Sequence, residues 1–181
     1  MAMQNRLFKN RRNKGFTLLE VLVALLLLGL GFASMLMLQY KSLQYSSISY
    51  YRGISSQIVS GLAAGMRANF DAMTSYDNVG GGYIYSPSSN ITEPSPSCKG
   101  NTTCSPAQIA QADVYWARRA ARAQLPGGDL YVKYDTTKQY YDVMVLWQDP
   151  ENNTLTQLPC SGLGIAGLTP STVCLSMRVS L

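Results

Sequence analysis

The sequence predicts an α+β fold, in which one long N-terminal helix packs by its outer half on a small antiparallel sheet. Three observations carry this reading. An apolar run near the start passes, with no proline, into an amphipathic stripe. A second helical segment stops at a Pro-Gly-Gly turn. Beyond that turn lie short stretches rich in tyrosine, valine and threonine that read as strands.

Residues 1–15 form a polar leader holding Arg6, Lys9, Arg11, Arg12 and Lys14 and no acid. The whole chain of 181 residues carries a formal charge of +5, yet without the leader it has ten basic and ten acidic residues. The basicity therefore belongs to the leader, and a nucleic-acid partner is not expected. From Phe16 to Leu38 the chain is apolar except for Thr17, Glu20 and Ser34. At ~1.5 Å per residue this helix reaches ~35 Å, enough for a hydrocarbon layer about 30 Å thick. Basic residues on the leader side keep the N-terminus in the cytoplasm, so the rest of the chain faces outward. The expected division is a leader at 1–15, a membrane-spanning half-helix at 16–38 and a periplasmic domain at 39–181. This is not an ordinary secretory signal, because no small-residue cleavage site follows the apolar run. The candidate cut, between Gly15 and Phe16, precedes it and leaves the helix in place.

Tyr51, Ile54, Ile58, Leu62, Met66 and Phe70 recur at steps of three or four and draw one apolar stripe. The spacing predicts helix from Phe16 to about Phe70, weakened near Gly53, Gly61 and Gly65. Residues 78–106 are rich in glycine, serine and proline and read as loop. Ser105 and Pro106 then have the chemistry of an N-cap and a first turn, and the helix they open runs to the Pro126–Gly128 stop. The segments 129–135, 139–149, 154–158 and 172–180 read as strands, with a hairpin turn at Asp135–Lys138.

All four cysteines, Cys98, Cys104, Cys160 and Cys174, lie beyond the apolar run. An even number in an exported segment predicts two disulfides. Three pairings exist, and the short separations favour Cys98 with Cys104 and Cys160 with Cys174. No spacing fits a zinc site and the chain has no histidine, so neither a metal nor a cofactor is expected.

Glu20 poses the main chemical question, since an ionised carboxylate within a membrane helix is costly and marks function or a partner. Acids suit the first turn of any helix, which is the plainer account. With Gly15 and Phe16 just ahead, a second account is preferred. Cleavage after Gly15 gives Phe16 a cationic amine, and the Glu20 carboxylate of one subunit can neutralise the amine of its neighbour. Such pairing would set the axial register of an assembly.

The stretch KGFTLLEVLVALLLLGLGF resembles the processing site and helix of type IV prepilins. That resemblance implies cleavage between Gly15 and Phe16 by prepilin peptidase, N-methylation of Phe16, and a filament-docking role for Glu20. It also implies a pilin fold. The segments at 66–69, 105–132 and 140–149 look like those of minor pilins of the PilV family. The implied function is that of a minor pilin: it primes pilus assembly and joins a tip complex. Its implied partners are other minor pilins and the major pilin, met through the N-terminal helix. The precursor would sit in the inner membrane, with a tip adhesin as a further partner. The nearest alternatives are the I-type pseudopilin of type II secretion and a tip adhesin or DNA-uptake pilin. One departure stands out: major pilins carry a proline late in the apolar helix, and this chain has none between Phe16 and Ser86. That argues against extensive unwinding of the helix, although Gly29 and Gly31 remain.

Other residues take plainer readings. Arg118, Arg119 and Arg122 cluster on the second helix, and a solvated face is favoured over a DNA site. Trp116, Trp147, Tyr131, Tyr134, Tyr140 and Tyr141 are assigned to the sheet's core and cross-strand pairs rather than to a carbohydrate surface. The sequons at Asn90, Asn101 and Asn152 receive no role. Catalysis finds no footing: there is no Ser-His-Asp or Cys-His set, no CxxC pair, no phosphate-binding glycine loop, and Asp149 and Glu151 sit in a turn-like stretch.

Overall fold

The computed structural model describes residues 15–78, 83–100, 102–149, 160 and 165–180. The chain divides between Ser46 and Ser47 into two compact units. The first is built on the apolar part of helix α1, which runs Leu18–Ala68. The second contains the remainder of α1, a 3-10 segment at Phe70–Tyr76, helix α2 (Pro106–Gln124) and strands β1 (Asp129–Asp135), β2 (Tyr140–Gln148) and β3 (Thr172–Ser180). The strands form one antiparallel sheet in the order β1-β2-β3. This is the α+β arrangement expected from the sequence, and it is consistent with a pilin fold. The strand expected at 154–158 lies outside the described residues.

In the second unit the stripe on α1 becomes core. Ile54, Ile58, Leu62 and Met66 are buried, joined by Val59 and Ala63. Phe70 departs from the expected stripe. The helix stops at Ala68, and Phe70 stands 57% exposed in the 3-10 segment. The cause is Asn69, whose backbone is non-helical and whose amide Nδ2 donates to the Pro106 carbonyl (2.8 Å) and the Tyr76 hydroxyl (3.3 Å). The fully buried Tyr76 phenol donates in turn to Asp113 Oδ2 at 2.8 Å. Burial, reinforced by the neighbouring Asp113 carboxylate, pushes its ionisation well above the ordinary phenol range. Gly65 lets α1 pass this polar group, since a Cβ there would stand 2.9 Å from Asp113 Oδ2.

Helix α2 begins with a complete capping box. Ser105 Oγ accepts from the Gln108 N–H, and the Gln108 side chain accepts from the Ser105 N–H. Such a cap contributes about 1 kcal/mol. The turn into β1 closes where Leu125 N–H bonds the Ala121 carbonyl at 2.9 Å and Gly128 N–H bonds the Leu125 carbonyl at 3.0 Å. A Cβ at Gly128 would overlap the Ala121 carbonyl, so the second glycine of the stop is required there.

The sheet is covered on both faces, which explains why β2 is buried continuously from Val143 to Trp147. Val143, Val145 and Trp147 join Leu130, Val132, Val173 and Val179 in the core shared with α1 and α2. On the opposite face, Met144 and Leu146 pack with Tyr131, Tyr83, Tyr85, Ile165, Cys160 and Cys174. Cys160 is bonded to Cys174, and Cys98 to Cys104.

The outer edge of β1 is closed by two side chains acting as a substitute strand. Asn78 exchanges two hydrogen bonds with the main chain of Val132, through its own N–H (3.0 Å) and its Oδ1 (2.8 Å). Its Nδ2 donates to the Leu130 carbonyl at 3.0 Å, and Asp77 Oδ2 accepts from Tyr134 N–H at 3.1 Å. Tight local bonding also sets the β1–β2 turn. Asp135 Oδ1 accepts from the N–H groups of Thr137 and Lys138, both at 3.0 Å, and Gln139 takes a positive φ of 55°.

The aromatic residues divide by position. Trp147, Tyr131 and Tyr141 are core, as expected. Trp116 is not part of the sheet: it sits half-buried on α2, edge-on to Tyr115, with the Lys99 ammonium 3.4 Å and the Arg119 guanidinium 5.1 Å from its ring centre.

Candidate assembly site on the N-terminal helix

In the first unit, Gly15, Phe16 and Thr17 precede the helix and Leu18 begins it. Thr17 caps α1. Its carbonyl accepts from the N–H of Glu20 (3.0 Å) and of Val21 (3.3 Å), and its Oγ1 accepts from Glu20 N–H at 3.2 Å. Thr17-x-x-Glu20 has the spacing of a capping box, a signal for this start that the sequence itself displays. Glu20 thus lies in the first turn, where the partial positive charge of the helix end favours a carboxylate.

Capping alone leaves much of this surface unexplained. Phe16, Glu20, Val21, Ala24, Leu25 and Leu28 line one shallow apolar recess on the helix. Phe16 is 80% exposed, and the large apolar side chains from Leu18 to Leu38 all stand open. Among the described residues this is the one helix long and apolar enough to cross a membrane, and none of its apolar window is buried within the chain. A helix apolar on every side needs lipid or other helices around it. Glu20 lies within that surface, and no ion pair reaches it among the described residues.

The arginine cluster is resolved differently from expectation. Arg118 and Arg122 do not form a solvated face, nor are they free for phosphates. Both turn onto Asp129, the first residue of β1, which is fully buried. Arg118 Nε and Nη2 donate to the two carboxylate oxygens at 2.8 and 3.0 Å, and Arg122 Nη2 adds a bond of 3.0 Å to Oδ2. The Leu130 N–H donates to Oδ1 at 2.9 Å. Arg122 also donates to the carbonyls of Ser86 and Ser89, so it ties the loop at 83–89 to α2 and β1. Burial alone would raise the Asp129 pKa, but the bonds and charge of Arg118, with Leu130 N–H and Arg122, hold it below the usual carboxylate range. Arg119 alone of the three stays exposed. Beside this cluster the Tyr85 hydroxyl donates to the Gly127 carbonyl at 2.6 Å, and burial pushes its pKa up to about 12. Sequence reasoning missed Asp129 because it is the first residue after a turn, where an acid is ordinarily solvated.

The described residues contain no cluster of histidine, cysteine or acidic side chains able to hold a metal ion. Asn101, Asn152 and Glu151 lie outside them. Asn90 is exposed, and Asp149 is half-buried at the end of β2, its N–H bonded to the Ser171 carbonyl.

Comparison with known proteins addresses the N-terminal segment. Residues 10–36 match the family profile described as the prokaryotic N-terminal methylation motif. This is the prepilin signal of type IV pilin-like proteins, and it supports a type IV pilin or pseudopilin. The motif implies processing by prepilin peptidase and association with other pilins, and with the long apolar helix it fits a membrane-anchored pilin. No curated protein and no solved structure matches the chain.

Proposed function

We propose that the chain is a minor pilin of a type IV pilus, of the PilV kind, and that its work is assembly rather than turnover. The observation that carries the reading is the apolar part of α1, open on every side and headed by the methylation motif, whose Glu20 carboxylate has no ion pair among the described residues. The precursor spans the inner membrane with residues 1–15 in the cytoplasm and the domain from residue 39 in the periplasm. Prepilin peptidase cuts between Gly15 and Phe16 and methylates the new amine. Glu20 of one subunit then meets the Phe16 amine of the next, and the subunit joins other minor pilins and the major pilin in a tip complex that primes the filament. Among the described residues no cation pairs with Glu20, which supports a neighbour as its source.

Deletion of the gene should remove surface pili while protein secretion continues, and the intact gene supplied in trans should restore them. Electron microscopy of shed filaments alongside a secreted-protein profile checks this. Loss of secretion with pili intact would reassign the chain to the pseudopilins. The DNA-uptake reading loses its main support, since Arg118 and Arg122 are committed to Asp129.

A further inference from the structure

The apolar run on α1 ends at Leu38, whereas the core of the second unit takes its first α1 residues from Tyr51 and Ile54. The stretch between belongs to neither. Tyr40, Leu43 and Tyr45 stand 56%, 71% and 59% exposed, and neither hydrophobic cluster of the described residues includes them. Lys41 is exposed as well. Its ammonium donates to Gln44 Oε1 at 3.2 Å, a neutral partner that leaves the charge unmet, and no ion pair reaches it among the described residues. The sequence places no acid between Glu20 and Asp71.

The rise of the helix fixes where this stretch falls. From Leu18, its first residue, to Leu38, α1 climbs ~30 Å, the thickness of a hydrocarbon layer. Headgroups add roughly 5 to 8 Å on each side. Tyr40 to Tyr45 climbs ~7 Å and fills that layer. Tyrosine suits it, because the ring is apolar while the hydroxyl stays wet. Lysine suits it, because the layer supplies anionic phosphates.

We infer that Tyr40, Lys41, Leu43 and Tyr45 form an anchor that binds phospholipid headgroups of the outward leaflet. Residues 39–46, the start of the outward domain, thus lie in the headgroup layer. A second copy is a poorer occupant, since like stretches set Lys41 against Lys41 with no acid to separate them. The inference rests on the membrane-spanning part of the minor-pilin reading. Its consequence falls at the other end of the span. Glu20 lies ~30 Å below Tyr40 along the helix, which puts its carboxylate at the opposite edge of the hydrocarbon layer, on the leader's side. There it meets water, so the cost of an unpaired acid falls on docking and not on residence in the membrane.

The test uses the full-length chain in vesicles of equimolar phosphatidylglycerol and phosphatidylethanolamine. The photo-reactive residue p-benzoylphenylalanine replaces Tyr40, Tyr45 or the exposed Ser60 in turn, and mass spectrometry identifies the adducts. Phospholipid adducts are expected at 40 and 45 and none at 60. The adduct at 40 should favour phosphatidylglycerol about five-fold, the worth of one lysine at an anionic surface, and Lys41→Gln should remove that bias. With a charged maleimide on both sides of the membrane, Leu19→Cys should be modified and Leu30→Cys should not. Flotation separates the two readings. A chain that does not float overturns the anchor and the membrane-spanning reading together. A floating chain overturns the anchor alone if it gives no lipid adduct at 40 or 45, equal adducts at 60, or adducts to a second copy instead. A bias unchanged by Lys41→Gln, an unmodified Leu19→Cys or a modified Leu30→Cys does the same.

Discussion

Glu20→Ala should be cleaved after Gly15 and methylated as in the parent, yet fail to restore pili to a deletion strain. The processing signal precedes Phe16, so alanine at residue 20 leaves it intact. What the variant loses is the only acid between the leader and Asp71. Within a membrane or a bundle of apolar helices, an unpaired carboxylate costs on the order of a few kcal/mol. Pairing with a cationic amine offsets that cost in one register only. Removing the acid relieves the cost but also removes the preference for that register, so subunits dock without axial order. Thr17 still caps the helix through its Oγ1 and carbonyl, so α1 should form as before. The capping account and the docking account thus predict different results: a few tenths of a kcal/mol of helix stability for the first, absence of filaments for the second. Immunoblots for processing and electron microscopy for pili decide between them, and normal piliation would leave Glu20 as a helix-start acid and nothing more.

Asp129→Ala should lower the stability of the folded chain by roughly 3 kcal/mol, near the lower end of the range for a broken buried pair. The low end applies because the Arg118 and Arg122 side chains keep 24% and 15% of their exposure and can reach water. Arg118→Ala should cost less, since Arg122 still neutralises the carboxylate. The linkage to pH has a definite sign. The folded-state pKa of Asp129 is depressed, so its contribution is fully present above the ordinary carboxylate pKa. It is lost as pH falls through the lower folded value. Parent and Asp129→Ala should therefore differ most at pH 6 to 7, and the gap should narrow below about pH 4. Denaturant unfolding of the detergent-held protein at several pH values measures this. A difference under about 1 kcal/mol at neutral pH would show that the triad is structurally idle.

Local chemistry of the kind that sequence displays directly carried much of the fold. Ser105-Pro106 marked the start of α2, Pro126–Gly128 its end, and the tyrosine- and valine-rich stretches became β1, β2 and β3. The α1 stripe held from Ile54 to Met66. It failed at Phe70 because Asn69 bonds to Pro106, a contact 37 residues away that periodicity cannot show. The same limit hid the closure of the β1 edge by Asp77 and Asn78. It also hid the turning of Arg118 and Arg122 onto Asp129, since four-residue spacing on a helix says that two arginines share a face but not what that face meets. On the N-terminal helix the order is reversed. The Gly15, Phe16 and Glu20 signature was plain in the sequence, whereas one isolated chain contains no neighbour to display the docking it implies.

The central claim is that Phe16 becomes a methylated terminal amine able to meet a neighbour's Glu20. Mass determination of the N-terminal peptide from native membranes tests it most directly. The account predicts a peptide starting at Phe16 and heavier by one methyl group. A mature protein that still begins at Met1, with Gly15–Phe16 uncut, would contradict it.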